Sequence, residues 1–195
     1  MKILIASNNK NKIDEIKLKL PQYQIFSLED LELNIEIEED GLTYEENSYK
    51  KAFEIHKLLE EEYIVIADDS GLEVEALNNY PNIYSARCAG EKANSETLCN
   101  HILDKMKNEK NRKAKFVCVI TIIYPDGSHY VIRKEVFGDI TNEIQGETKF
   151  GMDPIFYCKE YKKTYAELDK ETKNSISHRG LAIEELKRIL NNKNK

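Results

Sequence analysis

The amino-acid sequence predicts an α/β fold built on a mixed β-sheet, and three patterns support this fold class. An apolar run at residues 2–7 is followed by apolar residues at helical spacing up to Leu20, so a strand leads into a helix. The run YIVIA at 63–67 is apolar throughout, which is typical of a buried parallel strand. Apolar runs on both sides of Pro-Asp-Gly at 125–127 predict an antiparallel hairpin. Parallel and antiparallel strands together predict a mixed sheet with flanking helices.

Other segments add one strand and three helices. The sequence LNIEIE at 33–38 alternates apolar and polar residues, as a half-buried strand does. Thr43 and Glu46 have the spacing of a capping box, and the apolar stripe after them predicts a long helix. Residues 95–107 carry another helical stripe, and a final helix is predicted to begin near Ser177.

Length and composition fit one packed domain. The 195 residues are 41% hydrophobic and 33% charged, and we expect a single domain over 1–195. The net charge of −6 disfavours nonspecific binding to nucleic acid, which needs a basic face. The four cysteines and four histidines are scattered, which disfavours a structural zinc site. The sequence has no apolar run of the ~20 residues that a membrane span needs and no signal-peptide core, so we expect a cytoplasmic protein without a membrane partner.

The segment SNNKNK at 7–12 combines the end of a strand, small polar residues and the start of a helix. The free N–H groups and the dipole of a helix N-terminus favour an anion, and Lys10 and Lys12 add positive charge. The same residues also fit an Asn-capped helix with solvated lysines. The glycines of a Walker loop are absent, so a phosphate site here would be of another kind.

Acidic residues follow two of the predicted strands. Glu38 and Glu39 end the alternating segment, and Asp68 and Asp69 end the apolar run. Magnesium takes few carboxylates and completes its shell with water and phosphate oxygens, so two acids from separate strands can hold it. Glu38 and Glu39 also fit ordinary surface charge. The adjacent aspartates are the stronger signal, because two carboxylates at the end of a buried strand repel each other and need a cation.

A glycine-containing loop and a basic cluster lie in the last quarter of the chain. The loop runs from 146 to 154 and contains Phe150, whose ring could stack on a base or belong to the core. Lys173, His178 and Arg179 come before or at the start of the last helix. These side chains offer hydrogen-bond donors to a phosphate or to a carbonyl on a base.

Five motifs in order resemble the ITP/XTP pyrophosphatase family: SNNKNK, EEDGLTYEENSYKKA, ADDSGLEVEALNNYPNIYSAR, FGMDPIF and KNSISHRG. The resemblance covers the chain from Ile3 to about Leu190. It implies a two-lobed α/β fold around a long curved mixed sheet, with the active-site cleft between the lobes, and a homodimer. It also implies Mg²⁺-dependent hydrolysis of non-canonical purine triphosphates (ITP, dITP, XTP) to the monophosphate and pyrophosphate.

The resemblance implies a role for individual residues. Asp69 and Lys51 match the catalytic positions, Asp69 as metal ligand or general base, and Glu38 and Asp69 match the Mg²⁺ ligands. Other positions match the nucleotide-binding residues of the family, with Phe150 against the purine ring. These positions are Ser7, Asn8, Asn9, Lys10, Asn11, Lys12, Ser70, Phe150, Gly151, Met152, Asp153, Lys173, His178 and Arg179.

Chemistry adds one expectation about the base. Inosine and xanthine carry a carbonyl at the six-position where adenine carries an amino group, and a guanidinium can only donate. We therefore expect Arg179 to favour the six-keto bases. The chain departs from the family pattern at Met152, where an aromatic residue is usual, and at Asn8, where glycine is frequent. Met152 is expected to soften one wall of the base pocket, since its thioether is flexible and polarizable.

Alternative functions stay open on sequence grounds. A haloacid-dehalogenase-type phosphatase also places an aspartate after an apolar strand, but its D-x-D pattern is missing here. A Maf-type pyrophosphatase shares the reaction and acts on other nucleotides, and these motifs fit it less well. The third alternative is a regulatory module that binds nucleotides without turnover. Glu38, Lys51 and Asp69 are all present, which favours an enzyme over that module.

Overall fold

The computed structural model describes residues 2–59 and 63–193, and these residues form the predicted mixed α/β fold. Within these ranges the strands are β1 (Lys2–Ile5), β2 (Gln24–Ser27), β3 (Tyr63–Val74), β4 (Tyr80–Pro81), β5 (Lys113–Ile123), β6 (His129–Ile140), β7 (Phe156–Cys158) and β8 (Lys163–Thr164). The helices in the same ranges are α1 (Lys10–Lys19), α2 (Tyr44–His56), α3 (Ser95–Lys105), α4 (Lys170–Ile176) and α5 (His178–Lys193).

One open sheet contains these strands in the order β2-β1-β3-β5-β6-β7-β8, with β4 paired to β3. β1 is parallel to both β2 and β3. The pairs β3–β4, β6–β7 and β7–β8 are antiparallel. β5 and β6 are neighbours joined by a short turn in which the N–H of Tyr124 donates to the carbonyl of Ser128. The predicted hairpin and the mixed character of the sheet are therefore confirmed.

The chain separates into two compact units. Unit 1 comprises Met1–Asp69, Cys118–Lys134 and Arg179–Lys195, and unit 2 comprises Ser70–Val117 and Glu135–His178.

Unit 1 has apolar clusters on both faces of its strands. Successive residues of a strand point to opposite faces. Ile64 and Ile66 accordingly pack with α1 and α5, whereas Val65 and Ala67 pack with α2. The inward stripe predicted for the last helix is confirmed, with Ala182 and Leu186 fully buried and Ile189 half-buried.

Unit 2 has a core of its own, built from aromatic residues and one face of α3. The rings of Phe116, Phe156 and Tyr165 lie within 6 Å of one another. Leu98 and Ile102, on the predicted stripe of α3, belong to the same buried cluster. These contacts fix the elements that carry the glycine-containing loop of unit 2.

The prediction of a strand at 33–38 is wrong. Residues 33–40 form no strand, although the predicted alternation of burial is present. Leu33, Ile35 and Ile37 pack against the cluster beneath α2, and the residues between them are exposed. Alternation requires only an extended, half-buried chain, whereas a strand also needs a neighbour with unpaired backbone groups. The segment is held by its side chains instead.

The prediction that the aspartates end their strand is also wrong. Asp68 and Asp69 lie inside β3, which continues to Val74. The parallel pairing does end just before them, because β1 stops at Ile5, whose partner on β3 is Ile66. The two carboxylates therefore lie where a parallel neighbour ends, which is the kind of edge at which ligands of α/β proteins bind.

The buried face of α5 gives a stability prediction. Leu186→Ala removes a fully buried side chain and should lower the free energy of unfolding by about 2–5 kcal/mol. Leu181 lies on the same helix with 38% of its surface exposed, so Leu181→Ala is the matched control and should change stability far less. Urea unfolding followed by circular dichroism measures both, and equal losses would contradict the assigned orientation of α5.

Candidate functional site

Two adjacent buried carboxylates form the centre of the candidate site in unit 1. Asp68 and Asp69 are both almost fully buried. The strand alternation that places Ile66 and Ala67 on opposite faces does the same for these two residues. Asp68 therefore faces α1 and α5, and Asp69 faces α2, so each carboxylate has its own set of partners.

Asp68 is held by two cations. Its Oδ2 lies 3.0 Å from Lys12 Nζ and 3.4 Å from Arg179 Nε. Burial alone would raise the pKa of Asp68, but the charges of Lys12 and Arg179 hold that pKa well below its usual range. The Arg179 guanidinium also donates to Glu15 Oε2 at 2.9 Å. The two cations thus favour the charged form of Asp68, and Glu15 supplies a second negative charge to Arg179.

Asp69 has a different environment. Its Oδ2 accepts a hydrogen bond of 3.2 Å from Asn47 Nδ2, and its Oδ1 lies 3.7 Å from Lys51 Nζ. Burial raises the pKa of Asp69, and Lys51 opposes that shift only in part. Burial would lower the pKa of Lys51, but Asp69 and Glu39 raise it above its usual value. Compared with Asp68, Asp69 is therefore the carboxylate whose charged form is less stabilised.

The two glutamates of the acidic segment are placed differently. Glu39 Oε1 lies 2.5 Å from Lys51 Nζ, so Glu39 and Asp69 share one ammonium group. Glu38 is exposed. Glu38 is the residue that the resemblance matches to a metal ligand, but Glu39 is the one in contact with the Asp69–Lys51 pair.

The predicted phosphate segment begins α1. Asn9 is the N-cap and its side chain accepts from the N–H of Lys12, while Ser7 Oγ accepts from the N–H of Asn9. The predicted Asn cap is therefore confirmed, but Lys12 is not a solvated lysine, because its Nζ lies 3.0 Å from Asp68 Oδ2. The capped helix N-terminus still offers backbone N–H groups to an anion. The segment contains four exposed residues, Asn8, Asn9, Lys10 and Asn11.

The glycine-containing loop belongs to unit 2. Lys173, on α4, forms an ion pair with Asp153, and its Nζ lies 5.1 Å from the centre of the Phe150 ring. Gly151 has a φ of +49°, and its carbonyl accepts from Ser95 Oγ at 2.6 Å. The loop is thus held from both α3 and α4.

Met152 and His178 are core residues of unit 2. Met152 is only 3% exposed and belongs to the cluster that contains Phe156. The His178 ring is stacked on Phe116 at 4.6 Å with an interplanar angle of 12°. The expectation that Met152 forms a wall of the base pocket finds no support in this burial. Ser70, by contrast, is half-buried on β3.

Arg179 is placed differently from the expectation for a base contact. It is 3% exposed, and its Nε and terminal nitrogens point to Asp68 and Glu15. These contacts make Arg179 a partner of the buried carboxylates in unit 1. They give no support to a hydrogen bond with the six-position of a purine.

Sequence reasoning missed Asn47. This residue is fully buried on α2 and joins the N–H of Gly41 to Asp69. A signal was present, because Thr43, Asn47 and Lys51 recur at intervals of four and so share one helix face. A polar residue on that face, between the helix cap and a lysine that contacts Asp69, indicates a buried hydrogen-bond partner.

The residues present are compatible with a divalent cation bound together with a phosphorylated ligand. Across residues 2–59 and 63–193, the structure contains no group of three His, Cys, Asp or Glu side chains that would hold a metal ion unaided. Asp68 Oδ1 is buried and has no hydrogen-bond partner within the same ranges. Carboxylate oxygens, supplemented by water and phosphate oxygens, match the preference of Mg²⁺.

The helices of the described chain include none that is both long enough and apolar enough to cross a membrane.

The mixed sheet with its helices makes this an α/β protein. Its acidic and basic side chains on β3, α1 and α2 form ion pairs where the parallel pairing of the strands ends. Residues 3–189 match the model of the Ham1 family, and the chain belongs to that family. The resemblance found in the sequence is thereby confirmed.

Named relatives and solved structures agree with this assignment. The chain is 47% identical to a protein of Clostridium perfringens and 45% identical to one of Staphylococcus aureus, both named dITP/XTP pyrophosphatase, with at least 95% of each chain covered. The fold is similar to the Staphylococcus aureus Ham1 protein (TM-score 0.90, 44% identity, 99% of this chain and 100% of that chain). It is also similar to a HAM1 protein from Coxiella burnetii (TM-score 0.88, 34% identity, 98% and 99%).

The buried ion pairs predict a large effect for Asp68→Asn. The substitution leaves Lys12 and Arg179 without their shared anion, and breaking a buried pair costs about 3–5 kcal/mol of unfolding free energy. Asp40→Asn is the control, because Asp40 is an exposed acid paired with Lys50, and it should leave stability unchanged. Guanidinium unfolding at neutral pH compares the two variants. Equal stability of both variants and the unchanged chain would contradict the structural role given to Asp68.

Proposed function

We propose that this protein hydrolyses non-canonical purine nucleoside triphosphates, namely ITP, dITP and XTP, to the nucleoside monophosphate and pyrophosphate. The observation that carries the proposal is the buried pair Asp68–Asp69, which lies beside Lys12 at the start of α1 and beside Lys51 on α2. The names of the relatives from Clostridium perfringens and Staphylococcus aureus support the same activity. The protein would remove these nucleotides from the precursor pool.

The phosphate groups would be bound by the cationic groups of unit 1. Lys12 and the capped N-terminus of α1 offer an ammonium and backbone N–H groups to an anion. Lys51 adds a second, buried ammonium beside Asp69. Because phosphoryl transfer needs little covalent work from a protein, positioning and charge neutralisation are the main tasks of these residues.

Asp69 would act on the water that attacks the α-phosphorus. Of the two aspartates, Asp69 is less strongly paired with cations, and Asn47 orients its carboxylate by a hydrogen bond. A divalent cation, Mg²⁺ in our proposal, would be held by Asp69 and by Glu38 or Glu39, and when bound it supplies positive charge to the departing pyrophosphate. The contact of Glu39 with Lys51 favours Glu39 over Glu38 for this position.

The purine would be contacted by residues of unit 2. Phe150 is half-buried, and we assign its ring to stacking on the base. Lys173 lies close to both that ring and Asp153. Gly151 allows the loop its left-handed backbone conformation. We include Ser70, Met152, His178 and Arg179 among the binding positions on the resemblance alone.

We further propose a homodimer that resides in the cytoplasm. The family resemblance supports the dimer, and the scattered unpaired cysteines support a reducing compartment. β6 carries exposed apolar side chains, including Phe137 with 75% of its surface exposed, which supports the presence of a protein partner. Light scattering coupled to size-exclusion chromatography would measure the mass in solution.

The products of the reaction test the proposal directly. With Mg²⁺ and dITP or XTP, we expect one pyrophosphate and one monophosphate per turnover, with no orthophosphate. Excess EDTA should abolish turnover, and added Mg²⁺ should restore it. Separate assays for pyrophosphate and orthophosphate measure the outcome. Orthophosphate with a diphosphate product would exclude a pyrophosphatase, and tight binding of ITP without any product would instead support the regulatory module.

Asp69→Asn should lower kcat by at least ~10²-fold while the fold is retained, because it removes a general base or the charge that holds the metal. Circular dichroism and steady-state kinetics with dITP measure the two properties. Asp68→Asn is the comparison, and we expect it to keep more of its kcat under conditions in which it stays folded. If Asp68→Asn lost more kcat than Asp69→Asn, the roles of the two aspartates would have to be exchanged.

A further inference from the structure

Asn47 is a fully buried polar side chain with two oriented hydrogen bonds. Its Oδ1 accepts from the backbone N–H of Gly41 at 2.8 Å, and its Nδ2 donates to Asp69 Oδ2 at 3.2 Å. The two partners fix the orientation of the amide, because an N–H can only donate and a carboxylate can only accept. Asn47 thus links the acidic segment that precedes α2 to Asp69.

We propose that Asn47 is a positioning residue, which holds the acidic segment 38–41 against Asp69 so that the carboxylates of both can act on one cation. The inference rests on the proposed function, because it assumes that the reaction is the hydrolysis described there. It assigns to Asn47 no contact with the substrate. Its effect is exerted through Gly41 on one side and through Asp69 on the other.

The acidic segment needs such an anchor because it has no strand partner. Residues 33–40 form no sheet ladder, so the backbone of this segment is not fixed by strand pairing. The exposed pair of Lys50 with Asp40 is one side-chain contact that holds the segment. Two further contacts are less exposed, namely Asn47 with Gly41 and Lys51 with Glu39. Both come from the same face of α2, one turn apart. Of the two α2 side chains, Lys51 is charged and Asn47 is neutral, so the hydrogen bonds of Asn47 do not depend on a protonation state.

Gly41 shows how closely the segment approaches. A Cβ added at Gly41 would lie 2.7 Å from Asn47 Oδ1 and 2.9 Å from Glu46 Cβ. The absence of a side chain at 41 therefore permits the short hydrogen bond to Asn47. Gly41→Ala should push the segment away from Asn47 without altering any acidic, basic or amide side chain.

The amide is also the side chain suited to this place. An aspartate at 47 would have no N–H to donate to Asp69. It would also place a second carboxylate beside Asp69, and like charges at this distance repel. A leucine has nearly the same size and would leave both Gly41 N–H and Asp69 Oδ2 without that partner. Partners around a metal-binding carboxylate are typically worth about 10–100-fold in activity or metal affinity.

Three variants test the proposal. Asn47→Leu removes both hydrogen bonds, and Gly41→Ala disturbs the link from the other side. Ser48→Ala is the matched control, because Ser48 is the next residue of α2 and is fully buried, and its hydroxyl donates to Ala67 O and accepts from the Thr121 hydroxyl, away from the acidic segment. Each variant is examined for kcat and KM with dITP, for Mn²⁺ binding by calorimetry with and without a non-hydrolysable dITP analogue, and for its urea midpoint.

The expected result is a loss in kcat of about 10–100-fold for Asn47→Leu and Gly41→Ala, with KM for dITP changed less than about threefold. Mn²⁺ binding should weaken in both variants. Ser48→Ala should lower the urea midpoint but keep kcat and Mn²⁺ affinity. This split distinguishes positioning from a general loss of stability, which would affect the control as well.

Opposite results would overturn the proposal. If Asn47→Leu and Gly41→Ala kept the kcat and Mn²⁺ affinity of Ser48→Ala, Asn47 would be an ordinary core residue. If Asn47→Leu failed to fold, Gly41→Ala would decide the question alone. If the unchanged protein did not hydrolyse dITP, the proposed function would be wrong. The positioning role has its own test in that case: it would be wrong if the variants bound Mn²⁺ as tightly as the unchanged protein.

Discussion

The need to neutralise two adjacent buried carboxylates determines the arrangement around β3. Asp68 and Asp69 are nearly inaccessible, and a buried charge is tolerated only when it is paired. The strand sends the two side chains to opposite faces, so one shared counter-ion cannot serve both equally. Each face supplies its own cations. Lys12 and Arg179 serve Asp68, and Lys51 serves Asp69, which explains why the charged residues of α1, α5 and α2 turn inward at this point.

The unequal strength of these pairings separates the two aspartates chemically. Asp68 has two cations on one oxygen, and its pKa is lowered, so its charge is fixed. Asp69 has one more distant ammonium and a neutral amide, and its pKa is raised. A strongly paired carboxylate is a poor base, because its charge is already stabilised, whereas a less compensated one gains from accepting a proton or a metal. Two identical side chains in neighbouring positions therefore suit different tasks, one structural and one chemical.

Sequence patterns predicted the elements of the fold better than the partners within the site. The apolar runs found β3 and β5, because burial on both faces leaves a direct trace in composition. Alternation at 33–38 predicted burial correctly but not pairing, since pairing depends on a neighbour that the segment itself does not encode. The motif order identified the family, yet it matched Glu38 where Glu39 contacts Lys51, and it did not indicate that Arg179 faces Asp68 and Glu15. Such contacts depend on the direction of each side chain. On an extended chain, neighbouring residues point to opposite sides, so an error of one residue selects a side chain that points the wrong way.

The balance of charge at this place also limits how an anionic ligand can bind. The carboxylates of Glu15, Glu39, Asp68 and Asp69 face the cationic groups of Lys12, Lys51 and Arg179. The carboxylates outnumber the cations, and every one of these cations already contacts a carboxylate. A triphosphate that approached alone would compete with Asp68 for Lys12, and with Asp69 and Glu39 for Lys51. Additional positive charge must therefore enter with the ligand, and the oxygen ligands that remain are those preferred by a hard divalent cation. The dependence on metal follows from the excess of acid in the protein as well as from the charge of the nucleotide.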